Sequence, residues 1–207
     1  MKKIIPILLL LVSSNVFSQG TLNDFPYDKD DLNIILNEMG FHTFKYPIKQ
    51  SVNQLCDFII EEYQDGKLVN TKSIVQSTRK KFEDYGLDWK KYFNPLKDSI
   101  YFHRFYFRKQ DSTLSLRIKS QGSSSVETIN KLGSSLYDVR TLDKIKSEID
   151  KSGFLTLDSE KDLIFLYSNM NNNRSEPLYC PSGLPKNEVI KRFKYVLYIT
   201  LKQYTDK

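Results

Sequence analysis

Apolar and polar residues alternate along three segments of the chain, and each segment has a turn signal near its middle. The segment 53–75 contains Asp65-Gly66, the pair that favours a two-residue type I′ turn, so it predicts a β-hairpin. Segments 99–120 and 154–168 predict two further hairpins. Within the third, Leu163–Tyr167 is apolar on both faces, which is typical of a central strand covered on both sides.

The hairpin at 99–120 separates two kinds of side chain by parity. With Gln110-Asp111 as its two-residue tip, counting outward sets Phe107 opposite Leu114, and His103 lies on the same face, which we expect to be core. The other face combines cations with aromatic rings, and we call its six residues the cationic strip: Phe102, Arg104, Tyr106, Arg108, Arg117 and Lys119.

The cationic strip has two interpretations. The same count sets Arg104 directly opposite Arg117, and like charges so placed destabilise a hairpin unless a negative group lies between them. One interpretation is a binding site for a carboxylate, a phosphate or an acidic partner, with the rings as an apolar floor. The other is structural: a carboxylate of a packed helix, such as Glu148, neutralises the pair.

Apolar residues at helical spacing, with glycine or proline at the ends, predict helices at 28–40, 77–86 and 141–153 and a last helix from Pro185 to Tyr204. The far side of the last helix would form a second surface made of Lys191, Lys194, Tyr195, Tyr198 and Lys202. That surface either binds an anionic surface or a protein, or is a solvated face whose lysines snorkel to water. Together the elements predict an α+β domain: an antiparallel sheet built from hairpins, a few packed helices and a C-terminal amphipathic helix.

The N-terminus has the organisation of a secretory signal peptide. Lys2 and Lys3 precede the apolar run Ile4–Val12, and small residues follow, so cleavage after Ser18 is predicted. The run is about half of the roughly 20 residues that a membrane-spanning helix needs. We therefore expect residues 1–18 to be removed and residues 19–207 to fold as one soluble domain, in the periplasm or outside the cell, without a transmembrane segment.

The two cysteines and the charge refine this expectation. An oxidising compartment would permit a disulfide between Cys56 and Cys180, although two buried free thiols are equally compatible with the sequence. Removal of the signal peptide lowers the net charge from +6 to +4, because it deletes two lysines and no acid. This charge is smaller and less clustered than that of a typical nucleic-acid-binding domain, so no nucleic acid is expected as a partner.

No motif for catalysis, metal binding or nucleotide binding is evident, so we expect no cofactor and no metal. His42 and His103 are the only histidines, and neither has a second ligand at i+4. The leading hypothesis is therefore a non-catalytic binding or accessory protein of the cell envelope, whose partner is an unknown protein or an anionic glycan. The alternatives are a small secreted hydrolase with His103 as its base and a structural homo-oligomer.

Overall fold

The computed structural model describes residues 35–36, 39–52, 54–93, 95–110, 113–120, 123–129, 137–170 and 181–205. Contacts divide the chain into two compact units, Met1–Met39 and Gly40–Lys207. The strands and helices below belong to the second unit. The predicted signal peptide and most of the helix predicted at 28–40 lie outside the described residues.

Nine strands in this part of the chain form two antiparallel sheets. Sheet A contains, in spatial order, β1 (Phe41–Gln50), β4 (Ser99–Gln110), β5 (Thr113–Ser120) and β6 (Ser123–Ile129). Sheet B contains, in spatial order, β3 (Lys67–Ser73), β2 (Cys56–Gln64), β9 (Phe193–Gln203), β8 (Lys161–Met170) and β7 (Tyr137–Thr141).

The described helices are short and connect the strands. They are α1 (Ile74–Asp84), α2 (Trp89–Phe93), α3 (Asp143–Ser152) and α4 (Lys186–Arg192), with a 3₁₀ turn at Pro181–Gly183. The Ser73 hydroxyl accepts a hydrogen bond from the Gln76 backbone N–H and so caps α1, while Gly153 ends α3 at φ 80°. Among these helices there is no candidate for a membrane span.

The two sheets share one hydrophobic core. The Phe58 ring of β2 meets the Phe105 ring of β4 edge-on at 5.0 Å between centroids, and both are buried. The Tyr46 hydroxyl of β1 and the Thr141 hydroxyl of β7 lie 2.7 Å apart and share a hydrogen bond. Sheet A therefore buries one face against sheet B, and the prediction of the α+β class is confirmed.

The first two predicted hairpins are present. Asp65 and Gly66 have positive φ of 48° and 79°, as a type I′ turn requires, and β2 pairs with β3 across them. In the second hairpin the pairing of Gln110 with Thr113 shifts the register by two residues from the predicted one. Because side chains alternate with a period of two, this shift leaves every residue on its predicted face.

The third predicted hairpin is only partly correct. Leu163 and its neighbours do form an interior strand, since residues 163–166 are fully buried in β8. The partners of β8, however, are β7 and β9 rather than the preceding residues. Leu155, which was expected in the first strand of that hairpin, makes an isolated parallel bridge to Ile48 of β1.

The predicted C-terminal amphipathic helix is wrong beyond Arg192. Helix α4 ends there, and Phe193–Gln203 forms β9, which lies between β2 and β8 in the centre of sheet B. Residues 195–201 are buried without interruption, so both faces of the strand are covered. A dense run of β-branched and aromatic residues fits such a strand better than it fits a helix that has one solvent-exposed face.

Candidate binding face on sheet A

Strand alternation gives sheet A a second face, which points away from sheet B. We call it the outer face, and none of its described side chains is buried. The cationic strip lies on it, together with residues of β1 and β6. The outer face carries six cations, which are Lys45, Lys49, Arg104, Arg108, Arg117 and Lys119.

The cations of the outer face are close to one another. The observed register sets Lys45, Arg104 and Lys119 side by side on three adjacent strands. The predicted direct pair of Arg104 with Arg117 is therefore wrong, because Arg117 lies opposite Tyr106. Lys119 takes the place of Arg117 opposite Arg104. A pair of like charges therefore remains across the hairpin, as the sequence predicted.

Among the residues that the structure describes on the outer face, none has a carboxylate that could neutralise these charges. The proposed neutralisation by Glu148 is also wrong, since that carboxylate lies 3.4 Å from Lys161 instead. Glu127 of β6 points to the opposite side of the sheet and pairs with Lys72. The positive charge of the outer face is thus uncompensated within the described part of the chain.

Aromatic rings hold two of the cations in place. The Lys45 ammonium lies 4.0 Å from the centroid of the Phe102 ring, and the Arg108 guanidinium lies 5.2 Å from that of Phe41. Phe102 keeps 45% of its surface exposed. The rings of the outer face therefore support the charges and still present apolar surface to solvent.

The second predicted surface does not form. Tyr195 and Tyr198 are buried in β9, at 6% and 0% exposure, so they cannot belong to a solvent-facing helix side. The Tyr195 hydroxyl donates to Glu62, and the Tyr198 ring packs under the Lys186 ammonium. The lysines of that predicted surface are divided between α4 and β9: Lys191 and Lys194 are exposed and Lys202 is half-buried.

His103 is a core residue, as the parity of its strand predicts. It is 3% exposed, and its Nδ1 and Nε2 atoms lie 2.9 Å from the Ser120 hydroxyl and the Gln50 side-chain oxygen. Burial lowers the pKa of His103 to about 4. The imidazole is therefore neutral and inaccessible at pH 7, and the hydrolase hypothesis loses its proposed base.

Cys56 is a buried free thiol that lies 3.6 Å from His103 Nε2. Burial raises its pKa, so the thiolate is disfavoured. Cys180, its possible disulfide partner, lies outside the described residues. No cluster of three or more metal-ligating side chains occurs in the described ranges.

Sequence reasoning missed the contribution of β1 to the outer face. Lys45 and Lys49 alternate with the buried Tyr46 and Ile48, which is the period-two pattern of a strand. Pro47 lies within this pattern, and proline is uncommon inside strands. That pattern predicts a strand with a cationic face. The paired residues of β1 and β4, however, lie 49 to 67 positions apart in the sequence, and nothing local encodes their pairing.

Comparisons with protein-family models, with curated proteins and with solved structures found no match for this chain. The assignment of the outer face as a candidate binding site therefore rests on the chemistry of its residues alone.

Proposed function

We propose that the protein is an exported, non-catalytic binding protein of the cell envelope or the extracellular space, and that the outer face of sheet A binds an anionic partner. One observation supports this most strongly: six cations share a solvent-exposed sheet face on which no carboxylate is described. The signal-peptide pattern of residues 1–18 supports export.

The energetics of the outer face favour a binding role over a structural one. Like charges directly opposite each other in a sheet lower its stability, and Arg104 has such a neighbour on both sides. An arrangement of like charges that opposes folding and has no carboxylate on the described outer face to offset it is typical of a site selected for its ligand. A carboxylate, sulfate or phosphate placed between these cations would form charge-assisted hydrogen bonds with the arginine.

A pair of double variants tests this proposal. Arg104→Gln/Lys119→Gln removes two charges from the outer face, while Lys191→Gln/Lys194→Gln removes two exposed charges elsewhere. Affinity for soluble anionic polymers is measured at several salt concentrations, and thermal unfolding is followed in parallel. We expect only the first variant to bind more weakly and to show a smaller salt dependence, because it removes direct charge contacts.

The stability readout separates the two roles of the cations. Loss of repulsion should leave the unfolding midpoint of the Arg104→Gln/Lys119→Gln variant unchanged or slightly raised. A clearly lowered midpoint would mean that the cations stabilise the fold. Equal loss of binding in the control variant would mean that net charge matters and the outer face does not.

A further inference from the structure

The layout of the outer face narrows the class of its partner, and this inference rests on the proposed function. The cations occupy only β1, β4 and β5, and they extend from the row of Lys49 to the row of Arg108. Strands lie about 4.8 Å apart and rows of one face about 6.8 Å apart, so the charges fill a stripe of roughly 10 by 27 Å. The stripe runs parallel to β4.

The charged stripe is, by itself, smaller than the footprint of a globular partner. It amounts to a few hundred Å², whereas a stable protein–protein interface buries about 800 Å² on each side. Four of the five rows of this long and narrow stripe carry a cation, and the row of Pro47 and Phe102 carries none. Such a stripe matches a single extended chain that carries repeated negative groups. The ligand that fits it is a linear polyanion.

The aromatic residues distinguish among linear polyanions. Along β4 the outer face carries, in order, Ile100, Phe102, Arg104, Tyr106 and Arg108, so aromatic and cationic groups alternate from Phe102 onward. The C–H faces of sugar rings pack on aromatic side chains, and acidic substituents bind arginine. A peptide of acidic residues has no comparable ring, so the rings would add nothing to its binding.

The same layout disfavours an anionic lipid bilayer. A bilayer-binding surface inserts apolar side chains below the charged headgroups. Here Phe102 stands among the longer lysine and arginine side chains, and the Lys45 ammonium lies over its ring. The cations would therefore meet the headgroups before the ring could reach the acyl chains.

We propose that the outer face binds an extended acidic polysaccharide, one that bears carboxylate or sulfate groups. Its chain lies along β4, and its sugar rings pack on Tyr106 and on the part of the Phe102 ring that Lys45 leaves exposed. Arg104 and Arg108 bind the acidic groups, and Lys45 and Lys119 flank the chain.

The test compares five probes and four variants of the full chain. Four of the probes are polymers, namely polygalacturonate, heparin, poly-L-glutamate and neutral dextran, and a fifth probe is a vesicle that contains phosphatidylglycerol. The variants are Arg104→Gln and Phe102→Leu on the outer face, with Lys191→Gln and Tyr85→Leu as matched exposed controls. Tyr85 is 82% exposed and lies at the end of α1, so it reports on loss of a surface ring elsewhere.

We expect both acidic glycans to bind and dextran not to bind. Arg104→Gln should weaken glycan binding about tenfold, the loss of one charge-assisted hydrogen bond, and Phe102→Leu about fivefold. Phe102→Leu should leave any binding of poly-L-glutamate unchanged. Both controls should behave as the unaltered protein does.

Two kinds of failure can be told apart. Poly-L-glutamate or vesicles binding as tightly as the glycans, or equal glycan binding by the Phe102→Leu variant, would overturn the polysaccharide inference and leave an anion-binding face. Absence of binding to every anionic probe, or binding of dextran that Arg104→Gln does not change, would overturn the proposed function as well.

Discussion

Acidification should destabilise the protein through His103. Gln50 donates its amide N–H to the Gln54 carbonyl at 3.0 Å, which turns its side-chain oxygen toward His103 Nε2. His103 Nε2 therefore carries the hydrogen, and Nδ1 accepts from the Ser120 hydroxyl. Both ring nitrogens are satisfied in the neutral form, and a second proton would place a positive charge among the rings and aliphatic side chains of the core.

The magnitude follows from the two pKa values of this histidine. Burial lowers its pKa from 6.5 to about 4 in the folded protein, whereas the unfolded chain keeps the ordinary value. Between these pH values the unfolded state binds more protons, so stability falls as the pH is lowered. The full difference corresponds to about 3 kcal/mol of unfolding free energy, lost between pH 6.5 and pH 4.

Urea unfolding at pH 7, 5.5 and 4 measures this loss. His103→Gln should be less stable at pH 7, because the ring packs edge-on against Phe58 at 5.1 Å, yet it should lose about 3 kcal/mol less than the unaltered protein on acidification. The carboxylates titrate in both proteins, so their contribution cancels in the comparison. His42→Gln is the control: burial also lowers the pKa of His42, but this residue is only half-buried, so most of the pH dependence should remain. Equal losses in the unaltered protein and His103→Gln would refute the reasoning.

Three further predictions concern other parts of the chain. Asp57→Ala should lower the unfolding free energy by about 2–4 kcal/mol in a urea titration, since the carboxylate accepts hydrogen bonds from Ser73 and from the Val75 backbone N–H at the start of α1; an effect below 0.5 kcal/mol would contradict this. Cys56 should resist a thiol reagent in the native state and react with it once urea unfolds the chain without reductant; failure to react in urea would show that the thiol is bridged. Intact-mass measurement of exported protein should give a chain that begins at Gln19, and retention of residues 1–18 would disprove cleavage.

Local patterns predicted the parts of the fold that short segments determine. The Asp65-Gly66 turn and the glycine end of α3 need only the backbone preferences of a few residues. The division of the 99–120 hairpin into a core face and a cationic face survived a wrong register, because a two-residue shift preserves parity. The face that carries the candidate site was therefore predicted from the sequence, although the register of the hairpin was not.

The last strand shows where local patterns fail. Val189, Phe193 and Val196 fit a helical stripe, but residues 195–201 are apolar in nearly every position and therefore fit either period. Only the neighbours decide between a helix and a strand, and those neighbours, β2 and β8, are distant in sequence. The contribution of β1 to the outer face was missed for the same reason.

The position of β9 also determines when the fold can form. Strands β2 and β3 on one side of sheet B, and β7 and β8 on the other, are joined only through residues 193–203. A chain emerging from the ribosome in N-to-C order cannot complete this sheet, or cover the inner face of sheet A fully, before those residues have been synthesised. Cooperative folding of sheet B therefore has to wait for β9, and until then the two parts of the sheet present unpaired strand edges.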